Sequence, residues 1–315
     1  SLPSDSIRYL FEDSKKRIWV GTTNGLALYQ PDQENFKVFR NNPSSTSSIS
    51  NNFITTVQED ANGKIWVGTR NGLNLWQEST GSFRRYFYAP GEVNIISFLF
   101  PDAQKRLWLS IHDKGVYVLD RNTGSIIKPF VPDTKNPASL TSKTIEVFYQ
   151  DSRGNIWLGD RVDNEFGLYR LNEHEDGFTH YLPVSGDSSS ISSNEISFLA
   201  EDRKHRLWIG TDGGLNIYHY DKNIFTVFKS PRLSSTNFFT TDKNGEPWFG
   251  TYSSGGLISI DVDNGIITSF DESKGLLQND MTGGQNGRIA KDAFGRFWLP
   301  TQRGISVFDP ETKSF

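Results

Sequence analysis

The chain has 315 residues, with 33 Lys and Arg against 37 Asp and Glu; the net charge of −4 argues against a generic nucleic-acid binder. It contains no cysteine, which excludes disulfides, thiol nucleophiles, thiolate metal sites and redox motifs. Even its most apolar stretch, IISFLF, which includes one serine, is far short of the ~20 residues that span a bilayer, and 8 Trp, 23 Phe and 28 Gly beside one Met favour many short twisted strands over helices.

No charged-then-apolar leader opens the sequence, so any signal peptide is expected to have been removed or to lie outside it. The first unit, 1–41, reads as four strands: A in SIRYLFED, B in RIWVGT, C in GLALYQ and D in NFKVFR. The same order recurs in 42–88 (QEDANGKIWVGT, GLNLWQ), 89–131 (FPDAQKRLWLSI, GVYVLD) and 132–183 (YQDSRGNIWLGD, GLYRLN). It continues in 184–230 (AEDRKHRLWIGT, GLNIYH), 231–272 (TTDKNGEPWFGT, GLISID) and 273–315 (AKDAFGRFWLPT, GISVFD). Trp19, Trp66, Trp108, Trp157, Trp208, Trp248 and Trp298 each follow an aspartate by six positions: Asp13, Asp60, Asp102, Asp151, Asp202, Asp242 and Asp292. That register does not arise by chance.

Each aspartate is expected to bond the amides of the tight A–B turn, and Gly63, Gly154, Gly245 and Gly295 fall where that turn needs a positive φ. The tryptophans are expected to be buried between neighbouring sheets. The D–A links NNPSSTSSISNN, VPDTKNPASLTSK and PVSGDSSSISSN read as solvated connections. Four-stranded units repeating every 40 to 51 residues predict one all-β domain over 1–315, a seven-bladed β-propeller with four antiparallel strands per blade. The last strand D is only starting at ETKSF, so the ring either closes by packing or continues into further sequence.

The pattern D-x2-G-x-[ILF]-W-[IVL]-G-T-x-x-G-[LI]-x-x-[YF] resembles the two-component regulator propeller repeat. It is strongest at Asp13/Trp19/Gly21/Thr22/Gly25, Asp60/Gly63/Trp66/Gly68/Thr69/Gly72, Asp202/Trp208/Gly210/Thr211/Gly214 and Asp292/Gly295/Trp298/Thr301/Gly304. Blades three, four and six depart from it: Ser110-Ile111 replaces Gly-Thr, Asp160 replaces Thr, and all three have longer B–C links; blade seven carries Pro300 for the glycine. The resemblance implies the periplasmic ectodomain of an inner-membrane hybrid histidine-kinase sensor that regulates polysaccharide use in gut bacteria. It implies an oligosaccharide ligand, a second propeller and a β-sandwich in the same chain, and a homodimeric full sensor. The kinase activity would then belong to the parent protein, and this segment would be non-catalytic, without cofactor, metal, nucleic acid or membrane contact.

Ligand contacts are expected where blades break the pattern, on the face that gathers the B–C and D–A links. These breaks supply His112, Asp113 and Lys114 in blade three, Arg161, Asp163 and Glu165 in blade four, and Tyr252 in blade six. The same links carry Arg70, Arg232, Gln302 and Arg303, and arginine forks suit carboxylate or sulfate groups. Tyr252 and Trp76 are the candidates for stacking on a sugar ring, although Trp76 also fits a packed strand C; the whole set also fits a solvated rim. Two other functions stay open: a protein-interaction scaffold, and a propeller lyase or hydrolase using His112 and Glu165. Asp160, Asp163 and Glu165 could hold one cation, but they follow no spacing rule. No H-x-x-x-H pair, G-x-S-x-G elbow or phosphate loop occurs.

Overall fold

The computed structural model describes residues 1–88, 91–160, 167–252, 255–279, 281 and 289–315. Among them are six antiparallel sheets of four strands, ordered A-B-C-D in sequence, and one of three, ordered A-B-C. Three 3₁₀ turns are the only helical elements described, and no helix is long and apolar enough to cross a membrane. The fold is the seven-bladed β-propeller. Blades one to three lie in one compact unit, Ser1–Glu146, and blades four to seven in a second, Val147–Phe315.

Blade one shows how the motif builds a sheet. Strand A (Ile7–Glu12) pairs with strand B (Ile18–Thr22), which sets Phe11 opposite Trp19. Between them the Asp13 Oδ1 accepts the amides of Lys15 and Arg17 at 3.0 and 2.9 Å. The other carboxylate oxygen accepts the Trp19 indole N–H at 2.9 Å. The same indole–carboxylate bond recurs at 2.8–3.0 Å in blades two to five. It lengthens to 3.5 Å in blade six and 3.2 Å in blade seven. The fixed six-residue offset is therefore a direct bond between the two side chains as well as a turn signal.

Each turn also takes a positive φ three residues after the aspartate. Gly63 supplies 74° in blade two, whereas Lys16, Lys105 and His205 adopt 63°, 65° and 56° in blades one, three and five. The amide-capturing aspartate holds those non-glycine residues in the left-handed region. Arg17, Arg106, Arg206 and Arg296 complete the lock by donating Nε to the aspartate at 2.6–2.7 Å. Blade four has Asn155 instead, and the Tyr220 hydroxyl of blade five donates to Asp151 at 2.8 Å.

In the first unit, Trp19 packs on Ile54, Val57, Val67, Trp76 and Phe83 of blade two, and Trp66 on Ile96, Leu99, Leu107, Leu109 and Leu119 of blade three. Strand B glycines allow this approach: a Cβ on Gly68 would lie 2.8 Å from Ile96 Cγ2. In the second unit, Trp157 packs on blade five, Trp208 on blade six, and Trp248 on Phe297, Leu299 and Phe308 of blade seven.

Two expectations are corrected. Six motif tryptophans are buried, but Trp298 is 40 % exposed, and Ile305 beside it is exposed where its counterparts Leu26, Leu73, Leu215 and Leu257 are buried. Trp19, Trp66, Trp157, Trp208 and Trp248 are each covered by side chains of the blade that follows, and no such cover is described for Trp298. The Ser-rich D–A links, in turn, are anchored rather than simply solvated. Each buries one apolar side chain, Ile49, Leu140 or Ile191. Two are held further by a buried strand C asparagine, with Ser50 N–H donating to Asn74 Oδ1 at 2.8 Å and Ser192 N–H to Asn216 Oδ1 at 2.9 Å.

Candidate ligand-binding site

The B–C links that carry the expected contacts are closed by the motif threonine. The Thr69 hydroxyl donates to Gly72 O at 2.8 Å and accepts the Asn71 amide at 3.1 Å, so the intervening residue, Arg70, projects from a fixed turn. Thr22, Thr211 and Thr301 do the same in blades one, five and seven. Blade three has Ile111 at that place, and there His112, Asp113 and Lys114 form a three-residue link.

In the first unit, Arg70 lies with its guanidinium carbon 3.7 Å from the centroid of the Phe53 ring. Its backbone N–H donates to Phe53 O at 3.0 Å, so link and ring are joined through both main chain and side chain. Arg8, from strand A of blade one, lies 5.7 Å from the same centroid. Sequence reasoning found Arg70 and missed Arg8 and Phe53. An alignment of the blades carries the signal for Arg8, because the equivalent strand A positions hold Thr55, Ser97, Glu146, Ser197 and Asn237.

His112 and Lys114 are engaged elsewhere. A hydrogen bond joins His112 Nδ1 and Thr144 Oγ1 at 3.1 Å, and Nε2 lies 3.7 Å from Asp113 Oδ2. Lys114 is paired with Glu92, whose hydrogen bond raises the ammonium above its ordinary pKa. An anion approaching Lys114 must displace that carboxylate. No described contact joins Arg70 to either residue.

In the second unit, Arg232 donates Nη1 to Ser269 Oγ at 2.6 Å, Tyr252 is 52 % exposed, and Arg303 is exposed. No described hydrogen bond or ring contact joins these three. Arg161, Asp163 and Glu165 lie outside the described residues, whereas Asp160 is fully buried. Trp76 is not a stacking surface: it is buried against Trp19, Phe39 and Phe83. A polar groove of about 400 Å³ opens instead among A–B and C–D turns of this unit, lined by Arg203, Lys204, Asp242, Glu246, Asp261 and Lys313. Its charges are largely met internally, by the Arg203–Glu246 pair and by Lys204 with Asp263 at 3.4 Å. Among the described residues no three His, Asp or Glu side chains converge as a metal site would require.

Three segments, 1–24, 48–71 and 190–213, match the family model described as two component regulator propeller. They fall on blades one, two and five. No curated protein matches. Among solved structures, the chain is 22% identical to the extracellular domain of a putative hybrid two component system from B. thetaiotaomicron, with a TM-score of 0.70 over 96% of this chain and 40% of that one. It is 12% identical to virginiamycin B lyase from Staphylococcus aureus, with a TM-score of 0.62 over 95% and 93% of the two chains. It is 17% identical to PorZ, a surface component of the type-IX secretion system of Porphyromonas gingivalis, with a TM-score of 0.62 over 96% and 46%. At these identities the likeness is one of fold, and the chain spans less than half of the two-component ectodomain. Three blades thus match the two component regulator propeller model, and the same Asp–Trp lock recurs in the other four.

Proposed function

We propose that this chain is a ligand-sensing propeller of a hybrid two-component sensor, placed outside the cytoplasm and responding to an oligosaccharide released from a glycan. The observation that carries the reading is the repeat match itself, supported by the fold shared with a two-component extracellular domain. Exposed arginines and aromatic rings on the B–C and D–A links suit a polar, ring-bearing ligand, because flat rings and guanidinium forks together bind sugars and their acidic groups. In the parent protein a second propeller, a β-sandwich and a kinase module would convert binding into a signal, with the ectodomain periplasmic and the full sensor dimeric.

A second reading, a lyase, draws on the likeness to virginiamycin B lyase along nearly the whole of both chains. The sensing reading is favoured because His112 Nδ1 is hydrogen-bonded to Thr144 and, among the described residues, no group of metal-ligating side chains accompanies it. Calorimetric titration with neutral and acidic oligosaccharides, followed by chromatography of the recovered ligand, separates the two. Saturable binding with Kd below about 1 mM and intact ligand is the expected result. Cleaved ligand would establish the lyase, and absence of binding across the panel would remove the sensing role from this propeller.

A further inference from the structure

We propose that Arg8, Phe53 and Arg70 form an oxyanion clamp that takes the carboxylate or sulfate group of an acidic oligosaccharide. The clamp deepens the sensing reading and rests on it for the ligand being a sugar; the binding of the acidic group rests on the geometry alone.

Among the described residues, Phe53 is the one ring with two cationic side chains over it, Arg70 at 3.7 Å and Arg8 at 5.7 Å from its centroid. Both arginines are exposed, and neither has a carboxylate or hydrogen-bond partner for its guanidinium among the described residues. This sets them apart from the motif arginines Arg17, Arg106, Arg206 and Arg296, which donate Nε to an aspartate. Two like charges held within about 10 Å, the Debye length at 0.1 M salt, repel each other, and an anion between them removes that repulsion. The Phe53 ring holds the Arg70 guanidinium by cation–π attraction without using its N–H donors, which leaves the fork to bond an oxyanion bidentately.

The frame behind the clamp is held by hydrogen bonds. Phe53 N–H donates to Asn51 Oδ1 at 2.8 Å, Arg70 N–H donates to Phe53 O at 3.0 Å, and Thr69 closes the turn that carries Arg70. Buried Asn74 fixes Ser50 just before the ring, so the aromatic platform is ordered before a ligand arrives. Little ordering cost then remains to be met on binding. A uronate carboxylate and a sugar sulfate ester share the chemistry the clamp reads, a compact oxyanion on a hydroxyl-rich ring.

The test titrates the whole chain with a glucuronate-bearing disaccharide, its carboxyl-reduced neutral counterpart, an O-sulfated neutral disaccharide and inorganic sulfate, each at two salt concentrations. The acidic sugars are expected to bind about tenfold or more tightly than the neutral one, with affinity falling as salt rises. Arg8→Gln and Arg70→Gln should each weaken acidic ligands by about tenfold, more than they weaken the neutral sugar, while leaving Tm unchanged. Arg70→Lys should restore part of the loss, because it keeps the charge and loses the fork. The ratio of uronate to sulfate affinity tells which oxyanion the clamp prefers. Equal binding of acidic and neutral sugars, or unchanged acidic-sugar affinity in both glutamine variants, would overturn the clamp and leave the sensing reading standing. Arginine-dependent binding of inorganic sulfate with no binding of any sugar would support the clamp and overturn the sugar-sensing reading.

Discussion

Replacing Trp157 by alanine is expected to lower the unfolding free energy by about 3–5 kcal/mol. The indole is fully buried, packs against Tyr181 and Tyr218 with centroids at 5.8 and 5.0 Å, and donates to Asp151 at 2.8 Å. Its loss opens a cavity between blades four and five, and also leaves part of the Asp151 acceptor capacity unmet. The same change at Trp298 should cost about 1 kcal/mol or less, since that ring is 40 % exposed. Urea denaturation followed by circular dichroism reads both variants without relying on the indole signal being removed. Equal losses at the two positions would mean that cover by the following blade is not what makes the motif tryptophan stabilising.

Asp13→Ala is expected to cost about 2–4 kcal/mol near neutral pH, because it deprives four donors of their acceptor at once. These are the Lys15 and Arg17 amides, the Arg17 guanidinium and the Trp19 indole. Burial alone would raise the Asp13 carboxyl pKa, but the bonds from Trp19 and Arg17, with the guanidinium charge, outweigh it and hold the pKa below the ordinary value. At Asp292 burial is likewise outweighed, by the Arg296 and Trp298 bonds, and the carboxyl falls to about 2. A folded pKa below the unfolded one means that the unfolded chain binds more protons as the pH falls. The contribution is therefore complete above about pH 4 and is lost as the pH drops towards the folded values. The stability of Asp13→Ala should fall less steeply than that of the parent as the pH drops below about 4. Parallel acid profiles would contradict this assignment.

What the sequence disclosed was whatever repeats. Asp13 with Trp19, and their six counterparts, located the A–B turns and strand B, and the glycine opening each strand C set the next turn. A signal read seven times tolerates local exceptions such as Ser110 or Pro300. The indole–carboxylate bond was less visible, because the turn amides already accounted for the aspartate. Lys16, Lys105 and His205 hid their positive φ for a related reason: the aspartate, not glycine, stabilises those turns. Composition misread the D–A links, where serine and asparagine mask the single anchors Ile49, Leu140 and Ile191.

The site was legible only in part. Searching for breaks on the B–C links found Arg70, but its platform Phe53 comes from the preceding D–A link and Arg8 from a strand of another blade. Neither belongs to the repeat, and only folding joins them. Lys114 looked available in sequence because its partner Glu92 lies in a different link.

Amide hydrogen exchange tests the sensing account most directly, measured on the chain alone and saturated with an acidic oligosaccharide. Added protection is expected in 50–55 and 69–72, where the Phe53 and Arg70 backbones meet, with exchange unchanged in the A–B turn 60–64. Protection confined to the A–B and C–D turns, or an identical exchange pattern at saturation, would contradict ligand sensing by these links.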